Sequence, residues 1–236
     1  MNPLIAVITG GSEGLGRQIA LQLIKDKVTV VLLARSENKL KETTEEINSL
    51  SGQAHYYVCD VSDRVAVGKV ADQILNTFKG VDILINDAGV YFENASEKVT
   101  QSQVEQMFTI NSLGTIYTTQ AFLPHFKKQN QGQILNVISI AGLEPSSEWG
   151  IYAASKFAQT GFTESLRREL SGTKIKVMGF YPEGMDTQIF KKGGLDTQPG
   201  QPWMMKPEDA AKIVRFMLTQ PADVSLSQVV VRKICM

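Results

Sequence analysis

Cysteine and histidine are scarce in this 236-residue sequence, which has two of each, and neither sign of charge is in excess. Cys59 and Cys235 make no disulfide framework and no C-x-x-C zinc pair. With His55 and His125 alone, a histidine metal centre is not expected either, so no metal site is assigned. A reducing compartment is the simpler reading of so little cysteine. The 24 basic residues balance the 24 acidic ones, which speaks against a nucleic-acid surface or a polybasic membrane anchor. Long apolar runs are missing as well: Leu4–Ile8 and Val28–Ala34 fall far short of the roughly 20 residues of a membrane span. The N-terminus enters a strand-like run without a charged, apolar and cleavable leader. A cytoplasmic protein with no membrane partner is expected.

What is present is an alternation of short β-branched runs with longer amphipathic segments. Strands are expected at Leu4–Thr9, Val28–Ala34, Ala54–Val58, Val81–Ile85, Gln133–Ile138, Ile175–Phe180 and Val229–Lys233. Helices are expected at Gly14–Lys25, Ser36–Leu50, Asp63–Phe78, Tyr152–Leu170 and Pro207–Leu218, with a long helical stretch Thr100–Lys128 interrupted at Pro124. Strands that are apolar throughout, separated by helices, predict a parallel sheet covered on both faces. The expected fold is therefore α/β: one Rossmann-type, doubly wound domain over residues 1–236, with a seven-stranded parallel sheet and ligands at the carboxyl ends of its strands. The irregular segment 181–206 carries Gly193, Gly194, Pro199, Gly200 and Pro202 beside Phe190 and Trp203. Its aromatics suggest a substrate lid.

The first strand runs into Thr9-Gly10-Gly11-Ser12-Glu13-Gly14-Leu15-Gly16 and then a helix. Glycines serve where the backbone turns sharply or approaches a diphosphate, and the helix N-terminus offers N–H groups and partial positive charge. A tight turn without a ligand is the bland alternative, and the placement between strand and helix weighs against it. The spacing G-x-x-x-G-x-G after a Thr resembles the turn of the short-chain dehydrogenase/reductase family, in its compact single-domain branch. Thr9, Gly10, Ser12, Gly14, Leu15 and Gly16 are the dinucleotide contacts that the resemblance implies.

Further on stands Tyr152-Ala153-Ala154-Ser155-Lys156. Positions i and i+4 share a helix face, so phenol and ammonium meet over one site. A Tyr has an ordinary pKa of about 10, and a neighbouring Lys charge is expected to lower it and make a tunable acid/base. Ser139, thirteen residues earlier, ends the fifth strand at the ligand edge. Asn111 sits within a helical stretch where Asn is a poor helix former, which by itself suggests only a kink. The resemblance implies a catalytic tetrad of Asn111, Ser139, Tyr152 and Lys156. In it Tyr152 gives a proton to a carbonyl oxygen, Ser139 orients that oxygen, Lys156 also holds the nicotinamide ribose, and Asn111 helps hold a water in a relay with the Lys. Asp60-Val61 resembles the family's adenine contact. Asn86-Asp87-Ala88-Gly89 resembles N-N-A-G, with Asp87 in place of the second Asn. Pro182 and Thr187 resemble the ends of P-G-x-x-x-T, with Glu183 in place of the Gly and a solvated carboxylate expected there. The resemblance covers Leu4 to Lys233.

In such folds an acidic residue at the end of the second strand binds the ribose 2′-hydroxyl of NAD. Ala34 stands there instead, followed by Arg35, whose guanidinium suits the 2′-phosphate of NADP. Glu13 pulls the other way, since many NADP-preferring relatives carry a basic residue at that place. The expected cofactor is NADP(H), with NAD as the alternative. The function implied is hydride transfer between nicotinamide and a carbonyl or secondary alcohol carbon of a small molecule, in a homodimer or homotetramer built on the long helices. A cofactor-binding sensor without turnover is the rival, and the intact tetrad argues against it. A nucleotide-sugar epimerase or dehydratase shares Y-x-x-x-K but carries a larger C-terminal part than the 80 residues that follow Lys156.

Overall fold

The computed structural model describes residues 3–195 and 200–234, so Cys235 and Pro199 lie outside the described residues. Seven parallel strands form one sheet in the order β3-β2-β1-β4-β5-β6-β7. They are β1 Ile5–Thr9, β2 Thr29–Ala34, β3 Gln53–Val58, β4 Ile83–Asn86, β5 Gln131–Val137, β6 Lys174–Pro182 and β7 Gln228–Val231. The order reverses between β1 and β4, which are paired with Thr9 opposite Asn86. That switch point opens the ligand crevice of a doubly wound sheet.

Alternate strand residues feed two cores. Ala6, Ile8, Val30 and Leu32 pack beneath α1 (Gly14–Leu23), α2 (Glu37–Ser49) and α8 (Pro207–Leu218) through Leu15, Ile19, Leu40, Ile47, Val214 and Met217. Val7, Val31, Leu33 and Leu84 pack against α3 (Arg64–Phe78), α5 (Gly114–Gln129) and α6 (Gly150–Glu169) through Val67, Ile74, Phe122, Phe126 and Leu166. Burial on both faces is why the strands read as continuous apolar runs. Helix starts follow their caps: Asp63 accepts from the N–H groups of Val65 and Ala66, and Thr100 with Gln103 forms a capping box for the short α4, Gln101–Gln106. No helix among the described residues is long and apolar enough to cross a membrane.

Two expectations need correction. The stretch 100–128 is not interrupted at Pro124, which lies inside α5. The carbonyl that loses its donor belongs to Gln120, an exposed residue, so water can satisfy it, while Phe122 and Phe126 anchor the helix on the core. The irregularity falls instead at Met107–Leu113, a π-helical turn that contains Asn111. The irregular segment also begins later than Tyr181, because β6 continues to Pro182. Beyond it, the backbones of Met185 and Met205 bridge, and a one-turn helix, α7, spans Ile189–Lys192.

Candidate active site

A cavity of about 1050 Å³ opens along the carboxyl edge of the sheet, from Arg35 and Ser36 at one end to Phe190 and Trp203 at the other. Of the expected dinucleotide contacts, Gly10, Ser12, Gly14 and Leu15 border it on the turn after β1. Arg35, Asp60, Val61, Ala88 and Gly89 border it from the ends of β2, β3 and β4, and Pro182 and Thr187 from beyond β6. Gly10 has φ +70°, and an added Cβ would stand 3.0 Å from the backbone of Ala88, so only glycine lets the two loops close together. Helix α1 begins without a side-chain cap. Its N-terminal N–H groups and the close-set turn are a donor set that fits a diphosphate.

Thr9, Gly16 and Asn86 lie behind the cavity wall. The Thr9 hydroxyl accepts from the N–H groups of Asp87 and Ala88, both at 3.1 Å, and ties β1 to the β4 loop. At Gly16 a Cβ would meet Gly10 O at 2.6 Å and Asp87 Oδ2 at 2.8 Å. Asn86 donates to Asn136 Oδ1 at 2.8 Å and Thr119 Oγ1 at 3.1 Å and accepts from Thr118, while Asn136 donates to Thr163. That buried chain braces β4, β5, α5 and α6 beneath the site.

Tyr152, on the first turn of α6, and Lys156, one turn on, are both buried, and the ammonium lies 5.7 Å from the ring centroid. Ser139 follows β5, accepts the Ala141 N–H at 3.2 Å and sits against the Tyr152 phenol. All three border the cavity. Burial pushes Tyr152 up to about 12, with Ser139 opposing, so the expected lowering by Lys156 is not what governs this phenol. Lys156 is brought down to about 8 by burial, with Asp87 opposing. Asp87 is raised to about 7 by burial, against the Lys156 charge and the Gly16 N–H. The Asn-to-Asp departure therefore places a carboxyl beside the ammonium of the tetrad.

Asn111 is fully buried and does not border the cavity. Its side chain accepts from Val90 N–H at 2.8 Å and donates to Val90 O and Ser155 Oγ, both at 3.0 Å. The π turn gives the amide this reach, clamping the β4 loop to α6.

Several contacts made by cavity residues were not expected. Lys39 binds Glu13 at 2.8 Å, and Lys192 of α7 binds the other oxygen of the same carboxylate. These bonds hold Glu13 below the usual carboxylate range although burial acts the other way. Glu183 accepts the Lys233 N–H at 3.0 Å, so its carboxylate is tied to the end of β7. Tyr91 meets Tyr152 edge-on at 4.8 Å and Phe190 at 5.2 Å, and Phe190 meets Trp203 at 5.3 Å. Met204 and Met205 are buried, Met205 in the core beneath the sheet. Cys59 is buried and its thiol is raised to about 11, chiefly by burial, which leaves it unreactive.

A sheet wound in this order offers a dinucleotide the crevice between β1 and β4, and two hydroxyls beside a buried ammonium can move a proton to or from an oxygen. Fold and site together define an NAD(P)-dependent dehydrogenase or reductase. The sequence model of the short chain dehydrogenase family matches residues 4–197. An uncharacterized oxidoreductase of Staphylococcus epidermidis is 32% identical over 233 residues, 98% of this chain and 97% of that protein. Among solved structures, an alcohol dehydrogenase from the archaeon Thermococcus sibiricus, complexed with 5-hydroxy-NADP, superposes with a TM-score of 0.91 at 26% identity, covering 100% of this chain and 98% of that one. The closed form of a serine dehydrogenase complexed with NADP+ gives 0.86 at 27%, covering 97% and 94%. The chain belongs to the short-chain dehydrogenase/reductase family.

Proposed function

We propose that this protein is an NADP(H)-dependent oxidoreductase that reduces the carbonyl of a small molecule, or oxidises the matching secondary alcohol. The observation that carries the reading is the convergence of Ser139, Tyr152 and Lys156 on one cavity whose far end is bordered by Arg35, Ser36 and Lys39. The bound dinucleotide supplies the hydride. Tyr152 stays protonated at neutral pH and is therefore fit to give its proton to the carbonyl oxygen. Ser139 donates a second hydrogen bond to that oxygen as charge develops on it. The Lys156 cation favours the phenolate left behind and binds the nicotinamide ribose. Asn111 acts through the Val90 and Ser155 contacts as a positioning residue.

The preference for NADP rests on the adenine end. Arg35 stands 4.0 Å from Asp60 with an exposed guanidinium, and Lys39 and Lys192 together outweigh Glu13 by one charge. The acid that seemed to oppose a 2′-phosphate is thus neutralised. Two of the structural relatives were solved with NADP or a derivative, which supports the same choice. Arg35→Ala is expected to weaken NADPH binding by about 1.5–3 kcal/mol and to leave NADH nearly untouched. Fluorescence titration with both cofactors checks this, and equal losses would make Arg35 structural.

Asp87 raises the pKa of Lys156, so removing its charge should lower it further. In Asp87→Asn the ammonium then loses its proton at lower pH, and the alkaline limb of the kcat profile should move in that direction. An unmoved limb would assign that ionisation to another group.

Self-association as a dimer or tetramer through the outer faces of α5 and α6, where Phe157 is exposed, belongs to the same reading, and light scattering measures it. The enzymatic reading itself is tested by following NADPH absorbance with a panel of ketones, aldehydes and β-oxoacyl thioesters. Tight NADPH binding with no turnover across the panel would favour a sensor.

A further inference from the structure

Of the carboxylates that border the cavity, those in its cofactor half have a cation or an N–H group beside them, and two in its substrate half have no cationic partner among the described residues. Glu13 is held by Lys39 and Lys192, Asp60 faces Arg35, Asp87 lies beside Lys156, and Glu183 accepts from the Lys233 N–H. Two more carboxylates, the half-buried Glu93 and the exposed Glu148, border the same cavity. Among the described residues neither forms an ion pair, although exposed pairs form freely elsewhere on this protein.

The position of Glu93 is fixed relative to the chemistry. The Tyr91 hydroxyl donates to Glu93 Oε2, and no described residue donates to Oε1. The Tyr91 ring stands edge-on to Tyr152 and to Phe190, and Phe190 to Trp203, so an aromatic wall runs from the proton donor out to the lid. The Tyr91 phenol is pushed well above its ordinary value, first by burial, then by its bond to Glu93 and by the negative charges of Glu93 and Glu148. Both carboxylates therefore act on one ring that touches Tyr152.

Aromatic rings with unpaired carboxylates in a partly enclosed cavity attract a cation twice, through the ring quadrupole and through direct charge. The same arrangement repels an anion. We infer that the substrate half of the cavity takes a carbonyl or alcohol compound carrying a positively charged nitrogen, an ammonium or quaternary ammonium group placed away from the reacting carbon. Glu93 and Glu148 are its specificity-determining residues, and Tyr91 positions Glu93. This rests on the oxidoreductase reading above and narrows it to a substrate class.

The test compares three methyl ketones of equal chain length, ending in a trimethylammonium group, its neutral tert-butyl isostere and a sulfonate. Two readouts are taken on the wild type and on a Glu93→Gln, Glu148→Gln double variant that retains NADPH binding. One is kcat/KM with NADPH. The other is binding, read from the fluorescence of Trp149 and Trp203, the two tryptophans of the chain, both of which border the cavity. The wild type should favour the ammonium ketone over the isostere by about tenfold or more and disfavour the sulfonate. In the double variant the ratio should fall close to one. Equal values for cation and isostere in the wild type overturn the inference, and so does a preference that survives in the double variant. If no ketone turns over, binding decides. An ammonium preference lost in the variant still upholds the charge assignment, while the missing turnover counts against the reductase reading alone.

Discussion

Tyr152→Phe is expected to lower kcat by about 10²–10⁴-fold, the usual contribution of a general acid, and to leave NADPH affinity close to that of the wild type. The ring stays, so its edge contact with Tyr91 and its place on the wall of the cavity survive. What goes is the one hydroxyl that lies against Ser139. Because burial raises Tyr152 to about 12, its proton is held through the neutral range, and reduction should show no alkaline fall from this group until the pH approaches that value. Alcohol oxidation needs the phenol as a base and should keep accelerating as pH rises beyond the point where reduction is flat. Steady-state kinetics in both directions and a cofactor titration make the measurement. Turnover of the variant within about threefold of wild type would remove Tyr152 from the reaction, whatever its position.

Element order was legible because the sheet is buried on both faces: runs such as Val30–Leu33 have no polar side to confuse the pattern. The glycine turn and Tyr152-to-Lys156 were legible because each is a local motif whose spacing, together with the family resemblance, marks it. What escaped depends on tertiary context. A π turn has no sequence period of its own, and Asn111 signalled only that an ordinary helix was uncomfortable there. Pro124 suggested a break, yet whether its missing donor matters depends on which way Gln120 faces. Glu13 read as an obstacle to a phosphate because its partners stand 26 and 179 residues away. For Tyr152 the neighbouring Lys was visible and the burial that outweighs it was not. Glu183, expected to turn its carboxylate to water, accepts the Lys233 N–H beyond β7, another contact between distant parts of the chain.

Lys156→Met should be damaged in two independent ways, since the ammonium is assigned both to the phenolate and to the cofactor ribose. Methionine keeps an unbranched apolar stem of similar length, so the buried slot on α6 remains filled and the fold is expected to stand. Loss of the cation removes the charge that favours phenolate, and kcat should fall at least as far as in Tyr152→Phe. NADPH affinity should fall as well, by about 1.5–3 kcal/mol for a hydrogen bond made by a charged group. That second loss separates the two variants. A further consequence lies with Asp87, whose carboxyl is raised to about 7 by burial while Lys156 pulls it down. Without that pull it should rise further and be largely neutral at pH 7. Exchanging Asp87 for Asn in the Lys156→Met background should then change cofactor affinity little at neutral pH, although the same exchange in the wild type moves the alkaline limb. Dissociation constants and kcat across pH for the two single variants and the double variant complete the cycle. Unchanged NADPH affinity in Lys156→Met would confine the lysine to the proton step, and additive pH shifts in the double variant would mean that Asp87 and Lys156 do not interact.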